Sequence, residues 1–145
     1  MGCMTEIEAK IVLNKLVFLD KYLNKLAEFE SVTLSDYLSN QNQQLVIERL
    51  LQLTIQVALD INRYLLKQLQ IEQPESNFAT FIEVGNCGII TPELAEVLAP
   101  SGSTRNRLVH LYEEIDPVQV HTAISIALQY YPIYQRQVKT YLSSL

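Results

Sequence analysis

The chain has 145 residues, 48% hydrophobic and 19% charged, with four glycines and five prolines, a composition outside the range of disordered or collagen-like sequences. That length supports one domain, residues 1–145, which buries about 70% of the surface its unfolded chain exposes. Eleven basic against sixteen acidic side chains give a net charge of −5, which argues against a broad surface that binds nucleic acid by counterion release.

No apolar run approaches the roughly 18 residues that a membrane span needs; the run from Leu16 to Leu19 closes at Asp20. No membrane partner is therefore expected. The start of the chain, Met1-Gly2-Cys3-Met4, leads straight into Glu6, Glu8 and Lys10, without the basic and apolar regions of a secretory signal, so the expected location is the cytoplasm. Cys3 and Cys87 form neither a disulfide framework nor a metal-binding pair and are read as free thiols.

Helical periodicity runs through the chain, and no alternating strand pattern interrupts it. The expected fold class is all-α, an antiparallel helical bundle. Thr5-Glu6-Ile7-Glu8 fits a capping box, which predicts a helix start there. Ala9, Val12, Leu16, Leu19, Leu23 and Leu26 follow at steps of three and four, giving that helix one broad apolar face. Ser31 or Thr33 is expected to cap a short turn through Leu38. The polar run from Ser39 to Gln44 then separates it from a long helix over about Leu45 to Leu69, whose polar stripe is Arg49, Gln52, Gln56, Asp60, Arg63 and Lys67. A helix apolar over most of its circumference is central in a bundle or buries a second face on another subunit, so a homodimer through apolar helix faces is expected.

Gln73 to Ser76 ends the long helix, and a short helix follows near Phe78 to Val84. Gly85-Asn86-Cys87-Gly88 reads as a left-handed stop and turn. Thr91-Pro92-Glu93 caps a helix expected to run to about Leu98, where Pro100 to Ser103 interrupts it and the chain restarts at Thr104. Asp116-Pro117 repeats the cap and opens a last helix to the C-terminus, with a kink expected at Pro132.

The densest polar chemistry lies in Ser101 to Asp116. On a helix Asn106 and His110 share a face, while Arg105 lies roughly 140° around from His110. A chain break at Pro100 to Ser103 would free Arg105 to reach the imidazole. An imidazole can remove the proton of a ribose 2′-hydroxyl or protonate a leaving oxygen. A guanidinium beside it can hold two phosphate oxygens as charge develops. The pair thus suits phosphodiester cleavage with no metal and no cofactor. Against this stands the ordinary role of a lone histidine on an amphipathic helix, a satisfied structural group. Asp60 is a further candidate, able to orient His110 or pair with a motif arginine, or simply to sit exposed on the polar stripe. Tyr130, Tyr134 and Tyr141 share a face of the last helix, where packing is favoured over stacking on bases. His121 is expected at the surface.

Arg105-Asn106-x-x-x-His110-x-Tyr112 resembles the Arg-x4-6-His motif of the HEPN ribonucleases, in the Arg-x4-His-x-Tyr form of the HepT toxins. Ala99 to Gly102 before it and Glu113 to Pro117 after it are similar too, and the all-α layout covers the chain. The resemblance implies the toxin of a type VII toxin-antitoxin system, a metal-independent endoribonuclease acting on transfer RNA. It implies Arg105 as phosphate clamp, His110 as general acid or base, Asn106 in support, and a cationic cleft from Arg105, Arg107 and partner-chain residues. It also implies a minimal nucleotidyltransferase antitoxin of the MntA kind that silences the toxin by attaching AMP to Tyr112. The alternatives are a non-catalytic HEPN subunit that presents substrate to a nucleotidyltransferase, and a helical scaffold without an RNA role.

Overall fold

The computed structural model describes residues 7–110 and 115–145. Among these residues there are six helices and no strand: α1 (Ala9–Ala27), α2 (Leu34–Ser39), α3 (Gln41–Gln68), α4 (Asn77–Asn86), α5 (Pro92–Val109) and α6 (Pro117–Ser143). The all-α expectation holds. Side-chain caps set five of the starts, that of α3 among them, by serving otherwise unpaired first-turn amides. Thr33 accepts from Asp36 N, Ser76 from Ala79 N, Thr91 from Leu94 N, and Asp116 from Val118 N.

Several helix ends differ from the local reading. Helix α1 begins at Ala9 after Glu8, which makes no side-chain cap bond; Thr5 and Glu6 of the expected capping box lie outside the described residues. Instead the Glu8 backbone N–H donates to the Tyr64 hydroxyl of α3 at 3.0 Å. Helix α3 starts at Gln41, four residues before Leu45, because Asn40 Oδ1 accepts from Gln43 N and the glutamines that follow are good helix formers. Another difference is in α5, which runs unbroken through Pro100 and Gly102.

An interior proline costs a helix about 3 kcal/mol, so packing must hold α5 together. Leu94, Ala95, Leu98, Ala99, Gly102 and Leu108 are all buried along it. Gly102 lies so close to α4 that an added Cβ would sit 2.6 Å from the Asn77 carbonyl carbon and the Phe78 nitrogen. What reads as a break in sequence is the point of closest approach between two helices. Gly85 does the same in reverse: it belongs to α4, and a Cβ there would meet Ala95 Cβ at 2.6 Å. The left-handed turn falls later, at Gly88, with φ +79°.

Helix α3 is the centre of the bundle, packed against α1, α4, α5 and α6. Ten of its residues are buried, from Ile47 to Leu66, and its exposed large apolar side chains are confined to Leu45 and Val46 near its start. Its wide apolar circumference is thus used mainly inside the chain. α1 contributes Val12, Leu16, Leu19, Leu23 and Leu26 to the core, the expected stripe without Ala9, which is half-buried.

A buried polar group joins α3, α4 and α6. The Tyr134 hydroxyl donates to Asn62 Oδ1 at 2.6 Å, with the Ala58 carbonyl at 3.2 Å sharing the proton. Asn62 Nδ2 donates to Thr80 Oγ1 at 3.3 Å, and Thr80 Oγ1 donates to the Asn77 carbonyl at 2.8 Å. Burial pushes the Tyr134 phenol far up, reinforced by Tyr131 beside it. Of the tyrosine stripe, Tyr134 is core while Tyr130 and Tyr141 are half-buried. His121 is not a plain surface residue: half-buried, it pairs through Nε2 with the Val32 carbonyl at 2.6 Å and so ties α6 to the α1–α2 turn. No helix of the described residues is long and apolar enough to cross a membrane.

Candidate functional site

Because α5 is continuous, Arg105 keeps its helical position, and the residue that leaves helical geometry is His110. His110 is the C-cap of α5, with φ −85° and ψ 81°. Its backbone N–H donates to the Asn106 carbonyl at 3.3 Å, so the two residues remain joined at the last turn. Its side chain is exposed. A cap residue has freedom that a helix-interior residue lacks, and this aims the imidazole independently of the helical repeat.

Arg105 is half-buried on α5, and its Nε is enclosed with no hydrogen-bond partner among the described residues. An enclosed guanidinium N–H without an acceptor is a costly group, while the charge of the guanidinium suits it to phosphate oxygens. Arg107 is exposed and held toward α6 by donating from Nη1 to Gln119 Oε1 at 2.9 Å. Beside it runs a groove of about 430 Å³ lined by Phe78, Pro100, Thr104, Val118 and Ile126 among others.

Asn106 is exposed, and its Oδ1 accepts from Asn77 Nδ2 at 2.9 Å. Asn77 opens α4, and its own Oδ1 accepts from Arg63 Nη2 of α3 at 3.1 Å. Neither Arg63 nor Asn77 stands out as a site residue in the sequence. Arg63 reads as one position of a polar stripe and Asn77 as a residue just before the short helix near Phe78, and no local pattern joins positions on three different helices.

Asp60 is exposed and accepts from Gln56 Nε2 at 2.7 Å along α3, an ordinary one-turn pair. Tyr112 lies outside the described residues, as does Cys3. Cys87 is a free, half-buried thiol at the end of α4, pushed up by burial and by Glu83. Among the described residues no three His, Cys, Asp or Glu side chains cluster as a metal site would require.

The backbone is similar to those of solved structures. It matches a chain in a crystal structure of a toxin-antitoxin with AMP-PNP with a TM-score of 0.81 at 20% identity, over 90% of this chain and 98% of that one. It matches a tri-AMPylated Shewanella oneidensis HEPN toxin in complex with MNT antitoxin with a TM-score of 0.79 at 21% identity, over 90% and 97%. The cytosolic protein YutE of Bacillus subtilis, of unknown function, gives a TM-score of 0.76 at 20% identity, over 95% and 92%. These likenesses define the class by fold, an all-α helical bundle shared with those structures.

Sequence narrows the class. Residues 19–140 match the family model described as ribonuclease HepT-like, and the chain belongs to that family. It is 51% identical over 142 residues to the tRNA nuclease HepT of Aphanizomenon flos-aquae (strain 2012/KM1/D3), covering 98% of this chain and 97% of that protein.

Proposed function

We propose that the protein is a metal-independent endoribonuclease toxin acting on transfer RNA, with Arg105 and His110 as its catalytic pair. The observation that carries the reading is the end of α5, where a guanidinium with an unsatisfied Nε stands one residue from Asn106, whose carbonyl holds the exposed cap residue His110. His110 removes the 2′-hydroxyl proton or protonates the departing 5′-oxygen, and Arg105 neutralises the phosphate oxygens as charge gathers on them. The substrate rests on the 51% identical tRNA nuclease. Arg107 supplies a second cation, and Asp60, exposed and paired with Gln56, is kept as a supporting candidate with no step assigned to it.

Exposed Phe78, Val118 and Ile126 line the groove beside Arg107. Such apolar side chains beside a cationic pair support a homodimer that brings two motifs together. Regulation follows the family resemblance: a cognate nucleotidyltransferase antitoxin attaches AMP to Tyr112, and the proposal extends to cytoplasmic action within a toxin-antitoxin pair.

Expression without a partner is expected to arrest bacterial growth, and the purified protein to cleave transfer RNA in excess EDTA. Arg105→Ala and His110→Ala should each lose both effects while keeping wild-type helicity. Variants as toxic and as active as wild type at equal soluble levels would overturn the catalytic assignment. Activity lost in EDTA and restored by added metal would overturn the metal-independent mechanism.

A further inference from the structure

We propose that Arg63 and Asn77 are positioning residues, a relay that fixes the orientation of the Asn106 amide so that Asn106 meets RNA as a hydrogen-bond donor. The inference rests on the ribonuclease reading above and adds two residues to it.

The direction of the relay follows from chemistry at its first member. A guanidinium donates and cannot accept. Arg63 is held by donation from Nη1 to Gln73 Oε1 and to the Pro74 carbonyl, both at 3.2 Å, while Gln73 Nε2 returns a bond to the Arg63 carbonyl at 2.9 Å. The Nη2 bond to Asn77 at 3.1 Å therefore obliges Asn77 to turn its oxygen toward α3. Its amino group then faces α5 and donates to Asn106 Oδ1 at 2.9 Å. With that oxygen engaged, the Asn106 amino group points away from Asn77, and no described residue accepts from it. It lies beside Arg105 in sequence and on the turn capped by His110.

A phosphodiester offers acceptors only, so an asparagine beside it helps only if it presents N–H. The reversed amide would aim a carbonyl oxygen at the phosphate and repel it. Left to itself an exposed Asn samples both orientations; here a cation two side chains away selects one. The contact also has its own structural supports. Gly102, one helical turn before Asn106, lets α5 touch the Asn77–Phe78 backbone, and the Thr80 hydroxyl anchors the Asn77 carbonyl at 2.8 Å.

The discriminating variant is Asn77→Asp in the full-length protein. A carboxylate is almost the same shape and still accepts from Arg63, but it has no proton to give Asn106. Asn106 must then reverse, donating to Asp and turning its oxygen outward. An acid at the first position of α4 is favoured by the helix dipole, so the fold is not weakened.

The expected result is a kcat for RNA cleavage lower by about tenfold or more, with a melting temperature equal to or above wild type. Asn106→Ala should lose a similar factor, and the double variant should lose little more than either alone. Wild-type cleavage by Asn77→Asp, a loss matched by lowered thermal stability, or losses that multiply in the double variant would each overturn the relay. Arg105→Ala separates the two levels of the argument. If the wild-type protein does not cleave RNA, or Arg105→Ala cleaves as well as wild type, the reading on which the relay rests falls with it; if Arg105→Ala is inactive while Asn77→Asp is fully active, only the relay falls.

Discussion

The Tyr134 hydroxyl of α6 donates to the buried Asn62 Oδ1 of α3 at 2.6 Å, across 72 residues of sequence. Both partners are enclosed, Tyr134 fully and Asn62 to 1% exposure. Tyr134→Phe keeps the ring and removes the donor, leaving a buried carbonyl oxygen without its strongest partner. The expected cost is about 1–3 kcal/mol, seen as a melting temperature several degrees lower with helicity unchanged. A melt identical to wild type would mean that water or another donor replaces the phenol.

Gly102→Ala tests the contact between α4 and α5. Alanine favours a helix over glycine by about 1 kcal/mol, so an unpacked position would be stabilised. Here the new Cβ would meet backbone atoms of Asn77 and Phe78 at 2.6 Å, and backbone cannot rotate away. Destabilisation by about 1–3 kcal/mol is expected from overpacking, measurable by urea unfolding. Gly88→Ala is the useful contrast: nothing lies within 4 Å, but φ is +79°, so its cost of about 1–2 kcal/mol is conformational.

Burial raises the carboxyl of Glu48 above its ordinary value of 4.5. The folded state therefore binds this proton more tightly than the unfolded state does. The contribution of Glu48 to stability is greatest below the unfolded pKa and is lost as pH rises through the folded one. Glu48→Gln removes the charge and should raise the melting temperature at pH 7, with the gain shrinking below about pH 4.5. A gain of equal size at both pH values would show that ionisation of Glu48 is not the cause.

The proposed control residue is Tyr112. An attached AMP brings a phosphodiester charge that competes with RNA for Arg105 and Arg107, and an adenosine that occupies space. Tyr112→Phe removes only the acceptor oxygen, so it should keep much of the toxicity and escape silencing by the transferase. Intact mass and growth during co-expression measure both effects. An AMP-sized mass gain on the Phe variant, or full rescue of growth, would move the control site elsewhere.

Local chemistry by itself determined most of the helices. Thr33, Thr91 and Asp116 cap where their neighbours call for it, because a side chain serving an amide two or three positions on depends on nothing distant. The core stripe of α1 and the pairing of Asn106 with His110 on one turn are legible for the same reason, since helical geometry ties positions three and four apart. The Arg105 and His110 motif and the family to which the chain belongs are likewise written in one short segment. Tertiary structure decided what lies between segments. Pro100 and Gly102 spell a break in any local reading, yet α5 is continuous, because packing against α4 outweighs the missing amide and makes the absent Cβ a requirement. His121 finds the Val32 carbonyl 89 residues away. Arg63, Asn77 and Asn106 become one network only when α3, α4 and α5 meet, since hydrogen bonds between helices depend on distance in space, which local sequence does not encode.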